Sequence, residues 1–275
     1  MDNLGDILKE TRQQLQLSQL EIAEDICSQS TLSEIEHNKY LPNTQLLINL
    51  CQRLDVDVKN VALAQNFKIC KENYFNQKVR SLYNSRNYHE LRDFLDRPTV
   101  TETVQTGKQT QAYYLYQAIC ALHLEHNFDH SKELLKLSLA SAGHSRRQTT
   151  LTRIGNMTLA YVYARQGLRI SAFNQIELAF KNFEKAKYDE NLNILFYLAS
   201  LSYFQLSKYD LAIEWIERGI KFIQDNHSHF MLINSLFLMA NIAELVKDDS
   251  ENIHNLRSYD LFRSFVRERP FEKVN

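Results

Sequence analysis

A short run of uncharged polar residues carries side chains that can hydrogen-bond to the bases of a nucleic acid. The run consists of Gln29, Ser30, Thr31 and Ser33. Amides and hydroxyls bond the edges of bases in the major groove, and a glutamine can form two hydrogen bonds with adenine. Gln19 and Lys39 lie on either side of the run and can contact phosphate oxygens. These groups act together only if helices hold them on one surface.

Hydrophobic periodicity places this run among short helices near the N-terminus. The helices are predicted over residues 4–15, 19–26, 29–37 and 46–54, with a fifth beginning at "DVKNVALA". Ser18 and Ser28 are suited to cap the second and third helices. Asn38 can close the third helix in the left-handed conformation. The polar run would then begin the third helix.

Composition favours an all-helical protein. The 275 residues include only six glycines and three prolines, a scarcity that suits long helices with short connections. The cysteines Cys27, Cys51, Cys70 and Cys120 form no CxxC pair, so neither a disulfide framework nor a zinc ribbon is indicated. The sequence shows no signal-like start and no apolar run long enough for a membrane span. We therefore expect a cytoplasmic protein with no membrane partner.

The formal net charge of −1 hides a division along the chain. Residues 1–66 hold ten acidic and five basic residues, a net charge of −5, so the remainder carries +4. Cations that neutralise phosphates drive sequence-independent binding to DNA. An acidic head therefore predicts a shallow salt dependence and reliance on a dimer that sums two modest half-sites.

The head resembles the Cro/repressor type of helix-turn-helix domain. The resemblance rests on Arg12, Ser18-Gln19, Ala23, Ser30-Thr31-Leu32-Ser33, Ile35-Glu36, Asn38 and Pro42. It implies that the third helix lies in the major groove and that Arg12 pairs with Glu36, so that this glutamate does not repel DNA. Two features depart from the family pattern. The turn "ICS" is one residue shorter than the common form, and Glu34 stands where a basic residue is frequent.

From residue 70 onward the chain repeats itself about every forty residues. The clearest copy, "FYLASLSYFQLSKYDLAIEWIERGI", matches the tetratricopeptide pattern. Equivalents of Ala212 fall at Leu91, Ser131, Ala172 and Asn252. Such pairs of helices bury their remaining apolar side only against the next pair. We expect an all-α protein in which a head over 1–66 precedes a right-handed, tetratricopeptide-like α-solenoid of about five repeats over 67–275. The polar stretch 97–111 is predicted to be an exposed loop.

In tetratricopeptide arrays the first helix of each pair lines the concave side. The residues predicted there are Asn73, Asn76, Arg80, Tyr83, Tyr116, Met157, Tyr161, Tyr197, Phe204, Asn234, Phe237, Asn241 and Glu244. Asparagine amides can bond an extended peptide, and aromatic rings offer it rigid apolar area. Arg80 and Glu244 could bind its opposite termini. The alternative is that many of these aromatics belong to the core, the commoner role of aromatics at helical spacing.

The combination of a helix-turn-helix head with about five tetratricopeptide-like repeats resembles the PlcR, Rgg and PrgX group of peptide-sensing regulators. The resemblance implies a homodimeric transcription factor of the quorum-sensing type. It further implies two ligands, a double-stranded DNA operator and a short signalling peptide held in the groove of the repeats. In that group, binding of the peptide repositions the two DNA-binding heads.

The sequence leaves two other function classes to compare with this one. A repeat receptor could act through protein–protein interaction, with an acidic head that docks a partner and does not bind DNA. Catalysis has no support, because the sequence contains no nucleophile elbow, HExxH or glycine-rich phosphate loop. His123, His126 and His130 could gather a metal ion, but no cysteine or carboxylate spacing supports such a site, so we expect neither a metal nor a cofactor.

Overall fold

The protein is built from helices. The computed structural model describes residues 4–40, 42–55, 63–124, 128–143, 148–228 and 230–247. Every regular element in these ranges is a helix, so the predicted all-α class is confirmed. The chain forms two compact units, one comprising Met1–Val61 with Tyr209–Asn275 and the other Ala62–Lys208. The predicted domain boundary after residue 66 stays a prediction.

Fourteen α-helices lie in the described ranges. They are α1 (Leu4–Gln14), α2 (Gln19–Ala23), α3 (Gln29–Glu36), α4 (Thr44–Arg53), α5 (Asn73–Asn84), α6 (Tyr88–Leu95), α7 (Pro98–Thr101), α8 (Gly107–Leu124), α9 (Phe128–Ala140), α10 (Thr150–Arg165), α11 (Arg169–Phe180), α12 (Asn193–Gln205), α13 (Tyr209–Asp225) and α14 (Leu232–Lys247). Two 3-10 helices, Phe183–Lys185 and Glu190–Leu192, precede α12. The helix predicted at "DVKNVALA" lies largely outside the described residues. Among the helices that are described, none has both the length and the apolar character of a membrane span.

The helices of the head begin and end where local capping chemistry predicts. Ser18 and Ser28 cap α2 and α3, and their hydroxyls accept hydrogen bonds from backbone amides of the first turn. Asn43 caps α4 in the same way. Asn38 follows α3 with a φ of 58°, the left-handed conformation expected of it. These short-range interactions fix the ends of α3.

Helices α1 and α3 approach each other closely at Gly5. A Cβ atom at this position would overlap the backbone carbonyl of Ile35. The amide of Gly5 donates to Oδ1 of Asn38 at 2.9 Å. A glycine therefore lets α1 lie against the C-terminal end of α3.

The first unit combines the head with the last described helix. Helix α14 contacts α4 and, less extensively, α1. Leu47 and Leu50 of α4 are fully buried, as are Leu238 and Ile242 of α14. The apolar face of α4 is therefore covered by a helix that lies about 190 residues further along the chain.

The second unit consists of helical hairpins. Helices α5 and α6, α8 and α9, and α10 and α11 pack in pairs, and neighbouring pairs contact each other through α6 with α8 and α9 with α10. Leu91, Ser131 and Ala172, which the forty-residue period aligns, are all fully buried. Ala212, their equivalent in the first unit, is buried as well. Asn252 of the fifth copy lies outside the described residues.

The stretch 97–111 is not the exposed loop that its polarity predicts. It contains α7 and the beginning of α8. Pro98 occupies the first turn of α7, where a missing amide costs no hydrogen bond, and Val100 is fully buried. A four-residue helix is too short to show periodicity, which explains why the pattern missed it.

Candidate nucleic-acid interface and peptide-binding residues

Helix α2 begins with a capping box. The Ser18 hydroxyl accepts from the Glu21 amide at 3.2 Å, and the Glu21 carboxylate accepts from the Ser18 amide at 2.7 Å. Hydrogen bonds from the side chain and the backbone amide of Ser18 lower the pKa of the Glu21 carboxyl. Arg53 donates to the backbone oxygen of Glu21 at 2.8 Å, so it also ties α4 to α2. Glu21 is therefore a structural residue of the helix start.

A buried ion pair joins α1 to α3. Arg12 Nε lies 2.6 Å from Glu36 Oε1, and Arg12 Nη2 lies 2.8 Å from Glu36 Oε2, which is the pair that the family resemblance implied. The two side chains are 11% and 1% exposed. Burial alone would raise the pKa of Glu36, but hydrogen bonds from Arg12 and Gln19 and the charge of Arg12 outweigh it and lower the pKa. Glu36 thus stays ionised, and Arg12 balances its charge inside the head.

The amide of Gln19 connects this ion pair to the start of α3. Gln19 Nε2 donates to Glu36 Oε2 at 2.8 Å, and Gln19 Oε1 accepts from Gln29 Nε2 at 2.9 Å. One hydrogen of each amide nitrogen is therefore used within the head. A second hydrogen on each nitrogen remains for a phosphate or a base. The predicted contacts of Gln19 and Gln29 with DNA stay predictions.

The remaining predicted DNA contacts lie at both ends of α3. The hydroxyls of Ser30 and Thr31 lie 2.8 Å from the Ser28 hydroxyl, so all three join one cluster at the helix start. Ser30 is exposed, whereas Thr31 is partly buried. Ser33 is partly buried in the middle of the helix, and Lys39 is exposed just after its end. Gln29 and Ser30 are thus the most accessible of the predicted base readers.

Three exposed acidic residues lie close to α3 in the sequence. They are Glu24 and Asp25, which follow α2, and Glu34 in α3. Asp25 has a φ of 60°, so it also makes the turn between the two helices. Glu21 takes part in the capping box and Glu36 in the ion pair, whereas these three carboxylates lie on the surface. The acidic character of the head therefore persists next to α3.

Six of the predicted groove residues are buried in the hydrophobic core. They are Tyr83, Tyr116, Met157, Tyr161, Tyr197 and Phe237. Burial of these side chains agrees with the alternative that aromatics at helical spacing serve the core. A peptide could contact them only after the surrounding helices moved apart. As they lie in this structure, they stabilise the helices and present no surface to a ligand.

The predicted asparagines and charged residues divide into structural and accessible groups. Asn76 accepts from the Ile69 amide at 2.9 Å and donates to the Cys70 oxygen at 3.0 Å, so it shapes the chain before α5. Asn241 donates to the Phe237 oxygen of its own helix at 2.7 Å. Asn73 and Arg80 are exposed on α5, and Phe204 and Asn234 are partly buried. Glu244 lies in α14, but its side chain is outside the described part of the structure.

A tether at residues 64–67 was not anticipated from the sequence. Asn191 Oδ1 accepts from the Ala64 amide at 2.8 Å, and Asn191 Nδ2 donates to the Gln65 oxygen at 2.9 Å. The Tyr116 hydroxyl accepts from the Phe67 amide at 2.9 Å. Burial raises the pKa of Tyr116, and the hydrogen bond with the Phe67 backbone opposes this only in part. The hydroxyl therefore stays protonated. Tyr116 and Asn191 therefore anchor the segment that follows the head.

Comparison with known proteins identifies the head. Residues 8–59 match the family model described as helix-turn-helix. No curated protein matches the chain in sequence. The match covers α2 and α3, whose capping and ion-pair geometry is described above.

Solved structures give a likeness over nearly the whole chain. Bacillus thuringiensis PlcR, solved in complex with the peptide PapR7 and DNA, is 18% identical with a TM-score of 0.54, and the match covers 96% of this chain and 94% of that chain. Streptococcus dysgalactiae Rgg2, an SHP pheromone receptor, is 14% identical with a TM-score of 0.33 over 95% and 99% of the two chains. The chain thus carries an N-terminal helix-turn-helix domain and has a fold similar to that of PlcR.

Proposed function

We propose that the protein is a peptide-responsive, DNA-binding transcriptional regulator that acts as a cytoplasmic homodimer. The observation that carries this proposal is the α2–α3 arrangement. In it the accessible Gln29 and Ser30 begin a capped helix, and a hydrogen-bonded chain leads from Gln29 to the Arg12–Glu36 pair. Helix-turn-helix domains read bases with the N-terminal residues of the recognition helix, which is α3 here. We assign no catalytic residue.

Peptide responsiveness is supported by likeness of fold. PlcR, which shares the fold, was solved with both a peptide and DNA. For this chain we propose Asn73, Arg80 and Phe204 of the second unit as contacts for a short signalling peptide. Regulation requires that the peptide bind one arrangement of the dimer more tightly than the other, since equal affinity would shift no equilibrium.

The acidic head shapes how DNA would be bound. Glu24, Asp25 and Glu34 oppose a close approach of phosphates, while Lys39 is an exposed cation near the end of α3. Hydroxyls, amides and helix N-termini can bond phosphates without a formal charge. We therefore expect a specific complex with a shallow salt dependence and weak non-specific binding.

The exposed carboxylates also favour a second candidate function. In this alternative the protein is a repeat receptor that acts on a partner protein, and the head docks that partner without binding DNA. The three surface acids close to α3 support it, because carboxylates repel the phosphate backbone that a DNA-reading α3 would approach. A basic partner surface would match them.

Fluorescence anisotropy separates the two candidates. The full chain is titrated onto a labelled duplex from the region upstream of its own gene and onto a shuffled duplex of the same composition. The regulator proposal expects tighter binding to the natural duplex. Equal affinity for both duplexes at low salt would support the interaction-protein alternative.

A further inference from the structure

A cleft of about 1010 Å³ opens in the second unit. It is formed by the beginning of α10 and by the segment between α11 and α12, with Gln65 at its edge. Its charged lining residues are Arg153, Lys181, Lys185, Lys187 and Asp189. The four cations and one carboxylate give this lining a net charge of +3.

Acidic side chains near the cleft only partly offset these cations. The Asp189 carboxylate accepts a hydrogen bond from the Asn191 amide at 2.9 Å, where it caps a 3-10 helix. Glu184 lies close enough to interact with the charge of Arg153. Counting Glu184 still leaves a net charge of +2. The cleft therefore attracts anions.

Arg153 lines the cleft and is only 3% exposed. Its two terminal nitrogens donate to backbone oxygens at the end of α11, including that of Lys181 at 3.1 Å. Its Nε is buried and has no hydrogen-bond partner among the described residues. Burial lowers the pKa of Arg153, although the charge of Glu184 opposes this. A buried guanidinium with an unused donor is costly unless a ligand completes its hydrogen bonds.

The beginning of α10 adds a second feature that suits an anion. Helix α10 has 16 residues, and its N-cap Thr149 and first residue Thr150 both line the cleft. The partial positive charge of a helix start and the hydroxyls of the two threonines favour an oxyanion. Arg153 lies one turn further along the same helix, so the helix start and the guanidinium face the same space.

We propose that this cleft binds a small organic anion through its phosphate or carboxylate group, held by Arg153, Lys185 and Lys187. The volume matches the largest pockets that hold drug-sized ligands, about 1000 Å³, so the cleft has room for an organic molecule that carries such a group. The site is separate from the accessible residues of α5 proposed above for a peptide. It lies beside Gln65, whose backbone oxygen accepts from Asn191. A bound anion would therefore contact the anchored segment that follows the head.

Calorimetric titration of the full chain tests this site without DNA or peptide. The probes are pyrophosphate and citrate, each at an ionic strength held constant with sodium chloride. We expect saturable binding of one anion per chain. Saturation by pyrophosphate alone assigns a phosphate ligand, and saturation by citrate alone assigns a carboxylate ligand; either result supports the site.

Charge reversal of exposed lysines supplies the decisive variants. Lys185→Glu and Lys187→Glu should each raise the Kd about tenfold, as expected for the loss of one charge-assisted hydrogen bond. Lys71→Glu makes the same charge change at an exposed lysine of this unit that does not line the cleft, and should leave the Kd unchanged. Absence of saturable heat with both anions, or an equal loss in the Lys71→Glu control, would overturn the proposal.

Discussion

Gln29 donates through Nε2 to Oε1 of Gln19 at 2.9 Å. Gln19 is itself held by Glu36, the acidic member of the buried ion pair. The first residue of α3 is therefore oriented by α1 and α2 before any ligand arrives. Such preorganisation lowers the entropy lost when a side chain is fixed in a complex. The same hydrogen bonds connect the ion pair that stabilises the head to the side chain of Gln29 that we propose reads a base.

Removal of one member of the ion pair should destabilise the head strongly. In the variant Glu36→Ala, the Arg12 guanidinium loses its main partner while it remains mostly buried. We expect a loss of about 3–5 kcal/mol in the free energy of unfolding, measured by urea denaturation. Glu34→Ala, at an exposed position of the same helix, should change it by less than about 0.5 kcal/mol. Similar effects of the two variants would show that the pair contributes little.

Acid should weaken the head through the same carboxylate. The pKa of Glu36 is lowered in the folded protein from an unfolded value near 4.5, so its contribution is fully present above that value. It is lost as the pH falls below 4.5 and through the lower folded value. The urea midpoint should therefore fall less between about pH 7 and about pH 3 in Glu36→Gln than in the wild type. An equal fall in both proteins would assign the acid sensitivity to other groups.

Gly5→Ala should destabilise the head, although alanine favours a helix. The gain in helix propensity is at most about 1 kcal/mol. The new Cβ would overlap the Ile35 carbonyl, which is backbone and cannot move aside by a change of rotamer. Overpacking of this kind costs about 1–3 kcal/mol. Thermal unfolding compared with Gln13→Ala, an exposed site on the same helix, tests the sign. A rise in the midpoint of Gly5→Ala would contradict the close approach.

Asn191→Ala should release the segment that follows the head. The asparagine is 1% exposed, and its amide bonds the backbone of Ala64 and Gln65. Loss of these bonds leaves partly buried backbone groups unpaired, at a cost of at most about 1–3 kcal/mol. Hydrogen exchange at the Ala64 amide should become faster than in the wild type. Asn174→Ala, at an exposed position of α11, should leave that rate unchanged, and a similar acceleration there would refute the tether.

Local features of the fold were predictable because their causes lie a few residues apart. The caps at Ser18 and Ser28 and the left-handed Asn38 follow from the chemistry of neighbouring atoms. The forty-residue period was visible because small residues such as Ser131 and Ala172 recur where two helices meet. The Arg12–Glu36 pair came from the family resemblance, since residues 24 apart give no local signal.

The groove residues were harder to predict for a physical reason. A helix with one apolar face shows which side is buried, but residues 191–202 are buried throughout. The pattern around Tyr197 therefore contains no information about which side faces a ligand. The contacts of Asn191 with residues 64 and 65 span more than 120 residues, and no spacing rule connects them.

The central claim is that α3 reads a DNA sequence through residues oriented by the head. Its most direct test is the anisotropy titration of the natural and shuffled duplexes with Gln29→Ala beside the wild type and the control Gln13→Ala, at about 50 and about 200 mM salt. We predict that Gln29→Ala weakens binding to the natural duplex about tenfold or more and leaves binding to the shuffled duplex unchanged. The control should match the wild type on both duplexes. Indistinguishable affinities of the wild type for the two duplexes, or no effect of Gln29→Ala, would contradict the claim.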